Sequence, residues 1–214
     1  NYPIWWIPEL GGGLPIAFIS IIHVYVAHFA VGGGLFLVLT EFLARRRNDA
    51  GALGYVRNHA KFFLLLTLVF GGVTGVGIWF VIGLVSPTAT STLIHAYVFA
   101  WAAEWVFFLC EIVALIIYHY RFKTMNGRDH LIVGCFYFLF AWLSLFVING
   151  IIASMLTPGD WVTTKSFWDG FFNPSFWPSL VFRTFFSAAC AGLFGFVTAT
   201  RIEDTDTRML AVRT

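Results

Sequence analysis

Five apolar stretches dominate this chain, each long enough to cross a membrane: Leu14–Leu43, Phe62–Val85, Leu93–Tyr120, Leu131–Leu156 and Pro178–Thr200. A hydrocarbon core ~30 Å thick is spanned by about 20 helical residues. Inside it every backbone amide must be paired within the chain, which leaves helices or a closed barrel. A barrel needs many alternating segments of about ten residues, and the sequence shows none. Hydrophobic residues make up 59% and charged ones 11%, against roughly 45–50% and 25% in a soluble domain. The expected fold is therefore all-α, a polytopic transmembrane helical bundle of about five spans, with residues 1–214 as one domain.

Basic residues orient it. Arg45, Arg46, Arg47, Arg57 and Lys61 fall between the first two runs, Arg121, Lys123 and Arg128 between the third and fourth, and Arg201, Arg208 and Arg213 after the fifth. The positive-inside rule makes these regions cytoplasmic, with the N-terminus outside and the C-terminus inside. The other side carries Lys165, with Arg183 a turn or two inside the fifth run. The net charge of +2 is this inside bias; no basic patch points to nucleic acid. Aromatic residues crowd the outer segments: Tyr2, Trp5 and Trp6 before three glycines, then Trp161, Phe167, Trp168, Phe171, Phe172, Phe176 and Trp177. Such rings form an interfacial belt or a surface for a quinone ring or a partner subunit. Residue 1 is Asn, and no charged n-region or cleavage site precedes the first run.

Cys110, Cys135 and Cys190 lie inside the apolar runs, where a free thiol behaves as a small hydrophobe. No Cys-x-x-Cys-His occurs, so covalent c-type haem attachment is excluded and any haem is held by ligation.

Ionisable residues inside the runs carry the functional information. One in hydrocarbon costs roughly 2.5–3.5 kcal/mol and is kept for a cofactor, a proton or a buried partner. His23 lies about nine residues, or ~13 Å, into the first run, where a neutral imidazole can present one nitrogen to haem iron. His28, five residues on, is rotated by about 140°. It serves a second cofactor, a proton path or packing. Gly32, Gly33 and Gly34 follow, and Gly71, Gly72, Gly75 and Gly77 thin the second span; both sets allow close approach of a helix or of a flat macrocycle. Glu104 and Glu111, seven residues apart, share a face about 10 Å apart. Burial favours the protonated carboxyl, so the pair reads as a proton ladder or as a structural pair bonded to neighbouring helices. His59, His95, His119 and His130 fall at the ends of the runs and read as interfacial.

The run His23-Val-Tyr-Val-Ala-His28-Phe-Ala-Val-Gly32, continuing to Leu39-Thr40-Glu41, resembles the first helix of subunit I of the cytochrome bd quinol oxidases. Phe70-Gly-Gly-Val-Thr-Gly75, Ala103-Glu104 with Leu109-Cys110-Glu111, Val147-Ile-Asn149-Gly150 and Asn173-Pro174 are similar to that family's later motifs in order and spacing. The resemblance covers nearly the whole chain, as the N-terminal part of a longer member. It implies haem ligation by His23 and proton transfer by Glu104 and Glu111. Two features depart from the family: the glutamates stand one residue closer, and Arg183 replaces the histidine expected for a low-spin haem. Arginine does not normally bind iron but pairs with a propionate or carboxylate. His28 has no counterpart in the family pattern. The family's C-terminal ligand-bearing helices and its long quinol loop have no equivalent in these residues.

What the resemblance implies is a membrane haem subunit of a respiratory electron-transfer complex. It would pass electrons between a quinol pool and partner redox proteins, with proton uptake through Glu104 and Glu111. The expected cofactors are a haem, b-type, on His23 and a quinone; His28 is the candidate ligand of a second haem, and Arg183 would hold a propionate or a partner's acid. Expected partners are further membrane subunits, an external cytochrome c or iron–sulfur protein, and lipid. The expected place is a bacterial or archaeal cytoplasmic membrane. Oxygen reduction by this chain alone does not follow. Two other readings stay open: a cofactor-free structural subunit of the same fold, and a proton or ion conductor built on the glutamates.

Overall fold

The computed structural model describes residues 4–213, so Tyr2 of the aromatic N-terminal segment lies outside the described residues. The chain is helical nearly throughout: α1 (Gly13–Arg46), α2 (Ala50–Leu64), a π-helical segment (Leu65–Gly71), α3 (Gly72–Val85), α4 (Pro87–Ala96), α5 (Val98–Arg121), α6 (Gly127–Leu156), the short α7 (Trp161–Thr164) and α8 (Phe167–Phe171), α9 (Phe176–Ala199) and α10 (Thr205–Arg213). Five helical stretches are long and apolar enough to cross a membrane: Gly13–Arg46, Ala50–Val85, Val98–Arg121, Gly127–Leu156 and Phe176–Ala199.

Two apolar runs differ from the helices that contain them. The second helix starts at Ala50, twelve residues before the apolar run, because Asp49 caps it by accepting from the Ala52 amide at 2.8 Å. Its first turns are amphipathic: Tyr55, Val56, His59, Ala60 and Phe63 are buried while Arg57 and Lys61 are exposed. The third run, Leu93–Tyr120, is two helices with a break at Tyr97. Burial of the Tyr97 ring, 5.9 Å from Phe167, fixes that break.

α1 is the central post, packed against α2, α3, α6 and α9, and α5 pairs with α6. Its glycines permit this. A Cβ on Gly32 would collide with the Ser187 carbonyl of α9, one on Gly33 with the Phe63 ring of α2, and one on Gly34 with the Tyr137 ring of α6. The triplet therefore serves helix contact in three directions, as small residues do where no water drives helices together. Phe29, Phe36, Leu37, Phe63, Tyr137, Ile151 and Phe176 fill the core. At one end Asn149 ties α6 to α9, donating to the Phe176 carbonyl at 2.9 Å and accepting from the Ser179 hydroxyl. Gly150 beside it makes room for the Phe171 ring, against which a Cβ would stand 2.6 Å away. The aromatic cluster of this end is split: Phe171 and Phe176 are core, whereas Trp168 and Trp177 are exposed.

Candidate functional site

His23 and His28 face different helices. His23, on α1, points at α3, where its Nδ1 lies 3.0 Å from Thr74 Oγ1. The Thr74 hydroxyl donates its proton to the Phe70 carbonyl at 2.8 Å, so His23 Nδ1 carries the proton of this contact. That tautomer places the lone pair on Nε2, the arrangement in which a second-shell acceptor orients a metal-binding imidazole. The ring packs against Gly75, whose missing Cβ would stand 3.1 Å from Cε1. The π-helical turns at Leu65–Gly71 end just before these partners. Such wide turns re-aim the residues that follow, and here those residues are Thr74 and Gly75.

His28 is fully buried against α9, its ring edge-on to Phe186 at 5.1 Å. Its Nδ1 lies 2.7 Å from the Val24 carbonyl. A carbonyl only accepts, so Nδ1 is the donor and Nε2 holds a lone pair. That Nε2 is buried with no hydrogen-bond partner. Leaving such an atom unpaired costs about 1–3 kcal/mol. The charge of Arg183 acts on this ring from the same helix as Phe186. Arg183 itself forms no ion pair or side-chain hydrogen bond among the described residues, although it sits inside a span, where an isolated cation costs roughly 2.5–3.5 kcal/mol. A lone pair and a cation, both uncompensated, thus stand on one face of the α1–α9 interface.

Glu104 and Glu111 lie on α5, facing α6. Ser144 donates to Glu104 at 2.9 Å, and the single proton of the Tyr137 hydroxyl is shared between Glu111 at 3.2 Å and the Ala30 carbonyl of α1 at 3.0 Å. No contact joins either carboxyl to His23 or His28 among the described residues.

Two histidines read as interfacial are interior. His59 is buried in a cage of Phe29, Phe36, Tyr55 and Phe62. Its Nδ1 meets Thr198 Oγ1 at 3.0 Å, and Nε2 has no partner. His130 is completely buried, with Nδ1 2.8 Å from Glu41 and Nε2 2.8 Å from the Tyr118 carbonyl. The amphipathic start of α2 and the long-range pairing of α1 with α6 put them there, and neither is visible in a hydropathy profile. His95 remains exposed, beside a cavity of about 520 Å³ that Ser91, Thr92, Trp161, Lys165 and Phe167 help to line.

The fold and these side chains define a polytopic helical membrane protein that keeps imidazoles, carboxyls and a guanidinium inside its spans. Residues 14–206 match the family described as cytochrome bd terminal oxidase subunit I. The chain belongs to that family, whose members are haem-binding membrane subunits of respiratory quinol oxidases. No curated protein matches the chain.

Proposed function

We propose that the chain is a haem-carrying electron-transfer subunit, with His23 as the iron ligand and Glu104 and Glu111 as proton carriers. The observation that carries this reading is the state of the two imidazoles on α1. Each has Nδ1 committed to a fixed acceptor, Thr74 Oγ1 or the Val24 carbonyl, and so each holds its Nε2 lone pair for something else. The residues fit haem at both places. At His23 the imidazole is seated on Gly75 with Nδ1 held by Thr74, which leaves Nε2 for iron. At His28 the orphaned Nε2 would take iron, and Arg183 would neutralise a propionate, which relieves both uncompensated groups at once. The haem supplies one-electron chemistry; the protein supplies ligation, burial and charge.

Glu104 and Glu111 serve the electron by relaying protons, each handing on the one it holds and taking up another. A carboxyl in low dielectric prefers its neutral form, and their partners Ser144 and Tyr137 are hydroxyls that both donate and accept. The cavity by His95 and Trp161 suits a quinol ring: its volume is within the roughly 300–1,000 Å³ of ligand pockets. His95 Nδ1 is held by the Ser91 carbonyl at 2.7 Å, which leaves Nε2 to accept a hydroxyl proton. Membrane subunits carrying the remaining ligands, an external cytochrome c or iron–sulfur donor, and a bacterial or archaeal cytoplasmic membrane complete the proposal.

The test is a reduced-minus-oxidised visible spectrum with iron stoichiometry on the purified complex. His23→Ala should remove one haem band and one iron per chain; His28→Ala should remove a different one. A spectrum and iron content unchanged in His23→Ala would overturn the haem reading. Arg183→Gln should keep the His28 band but lower its midpoint potential, because a cation beside a propionate favours the electron.

A further inference from the structure

The two glutamates belong to a longer pattern. Along α5, Glu104, Glu111 and Tyr118 recur every seven residues. Along α6, His130, Tyr137 and Ser144 do the same. Antiparallel packing sets the two series opposite each other in reverse order, and each rung is closed by a hydrogen bond: Ser144 to Glu104, Tyr137 to Glu111, and His130 Nε2 to the Tyr118 carbonyl.

The third rung differs from the others because α1 adds Glu41. This fully buried carboxylate accepts from Tyr118 at 2.6 Å, from Arg45 Nε at 2.6 Å and from His130 Nδ1 at 2.8 and 2.9 Å. The proton count follows from geometry. His130 Nε2 faces a carbonyl and must donate. Nδ1 faces a carboxylate, so one further proton lies between Nδ1 and Glu41, and loss of that proton would leave two lone pairs facing each other. The pair therefore holds exactly one releasable proton in the observed geometry. Arg45, 27% exposed, is the outermost member of the cluster. A further ionisable group that acts on Tyr118 is the exposed Cys135 thiol of α6. Arg45 opens onto the end of the bundle that bears Arg46, Arg47, Arg57 and Lys61, the cytoplasmic end by the positive-inside rule.

We propose that Glu41, His130 and Tyr118 form the proton-loading end of the ladder, taking a proton from water on the basic side and supplying it to Tyr137 and Glu111. The inference rests on the proton role proposed above for Glu104 and Glu111. Once Glu111 has passed its own proton on toward Glu104, a proton leaves the Nδ1–carboxylate pair and ends on the Glu111 carboxylate. One N–H or O–H bond breaks, one O–H bond forms, and the added positive charge balances the electron taken up by the haem. A second proton from solvent then refills the pair. Seven helical residues separate the rungs by ~10 Å, too far for one hop, so the transfer runs through a transient file of water. Between the third and second rungs stand Ala114 and Gly134, and the Tyr118 ring packs over Gly134, 3.0 Å from where a Cβ would stand, so a file forms only as that ring moves aside.

The experiment follows proton uptake with a pH-indicating dye as the haem of the purified complex is rapidly reduced. In His130→Gln, whose NH2 can still donate to the Tyr118 carbonyl or to Glu41 but which does not titrate, uptake should slow by 10-fold or more. The haem spectrum and the final number of protons taken up should stay as in the parent. Tyr137→Phe cuts the next rung without removing a charge and should slow uptake likewise; it decides the matter if His130→Gln does not accumulate. Uptake at the parental rate in either variant overturns the loading role. If the parent itself takes up no proton on reduction, the proton role of the glutamates falls as well, which separates the two failures.

Discussion

Gly32→Ala is expected to cost the fold about 3 kcal/mol, the upper end of what overpacking usually costs, although it adds a single methyl group. The new Cβ would overlap the Ser187 carbonyl of α9, and backbone cannot swing aside as a side chain tip can. Relief requires α1 and α9 to part. That would open the contacts they share: Phe29 against Phe194 at 4.3 Å, and His28 against Phe186. Association of helices in lipid rests on close packing, with no hydrophobic gain to offset a gap. The same substitution at Gly72, where nothing lies within 4 Å of the added atom, should be neutral or stabilising by a few tenths of a kcal/mol from helix propensity. Gly33→Ala should fall between, since it meets the edge of the Phe63 ring. Reversible unfolding in mixed detergent micelles measures all three. Equal midpoints for Gly32→Ala and Gly72→Ala would show that the α1–α9 approach is not as close as described.

The membrane class and the spans were legible because they depend on length and mean polarity, which one chain displays by itself. The rotation between His23 and His28 was legible too, since five residues on a helix fix an angle whatever surrounds it. What each histidine faces was not. Only the packing of α3 on α1 makes Thr74 the acceptor for His23, whereas the Val24 carbonyl lies one turn back on His28's own helix. Glu104 and Glu111 could be paired by their spacing, but Tyr137 and Ser144 disappear into an apolar run, and the register of two antiparallel helices is not written in either alone. A signal was nevertheless present: His130, Tyr137 and Ser144 repeat the seven-residue interval of Glu104, Glu111 and Tyr118. Matching polar heptads on consecutive spans would have found the ladder. Glu41 stood in the family-like motif only as a spacing marker, with no hint of the three donors that meet it.

Those donors make Glu41→Leu the most costly polar substitution in the molecule, at about 3–5 kcal/mol, the usual result of removing one partner from a buried ion pair. Three consequences add. The buried His130 Nδ1 would be left without a partner, the Tyr118 hydroxyl would face leucine, and Arg45 would lose its only ion pair among the described residues. Because the carboxylate sits where α1, α5 and α6 meet, the loss would reach all three helices. Glu41→Gln should cost less, about 1–2 kcal/mol, because its carbonyl keeps one of the two donors that bind opposite carboxylate oxygens, Arg45 or Tyr118, and its amide can donate to a neutral His130 Nδ1. The double variant Glu41→Leu with His130→Leu should recover part of the loss, since it removes the stranded imidazole together with the carboxylate that held it. Thermal or detergent unfolding of the purified complex gives the ordering. If the double variant is less stable than Glu41→Leu alone, His130 is not the charge that Glu41 compensates, and the shared proton assigned to the pair would be lost with it.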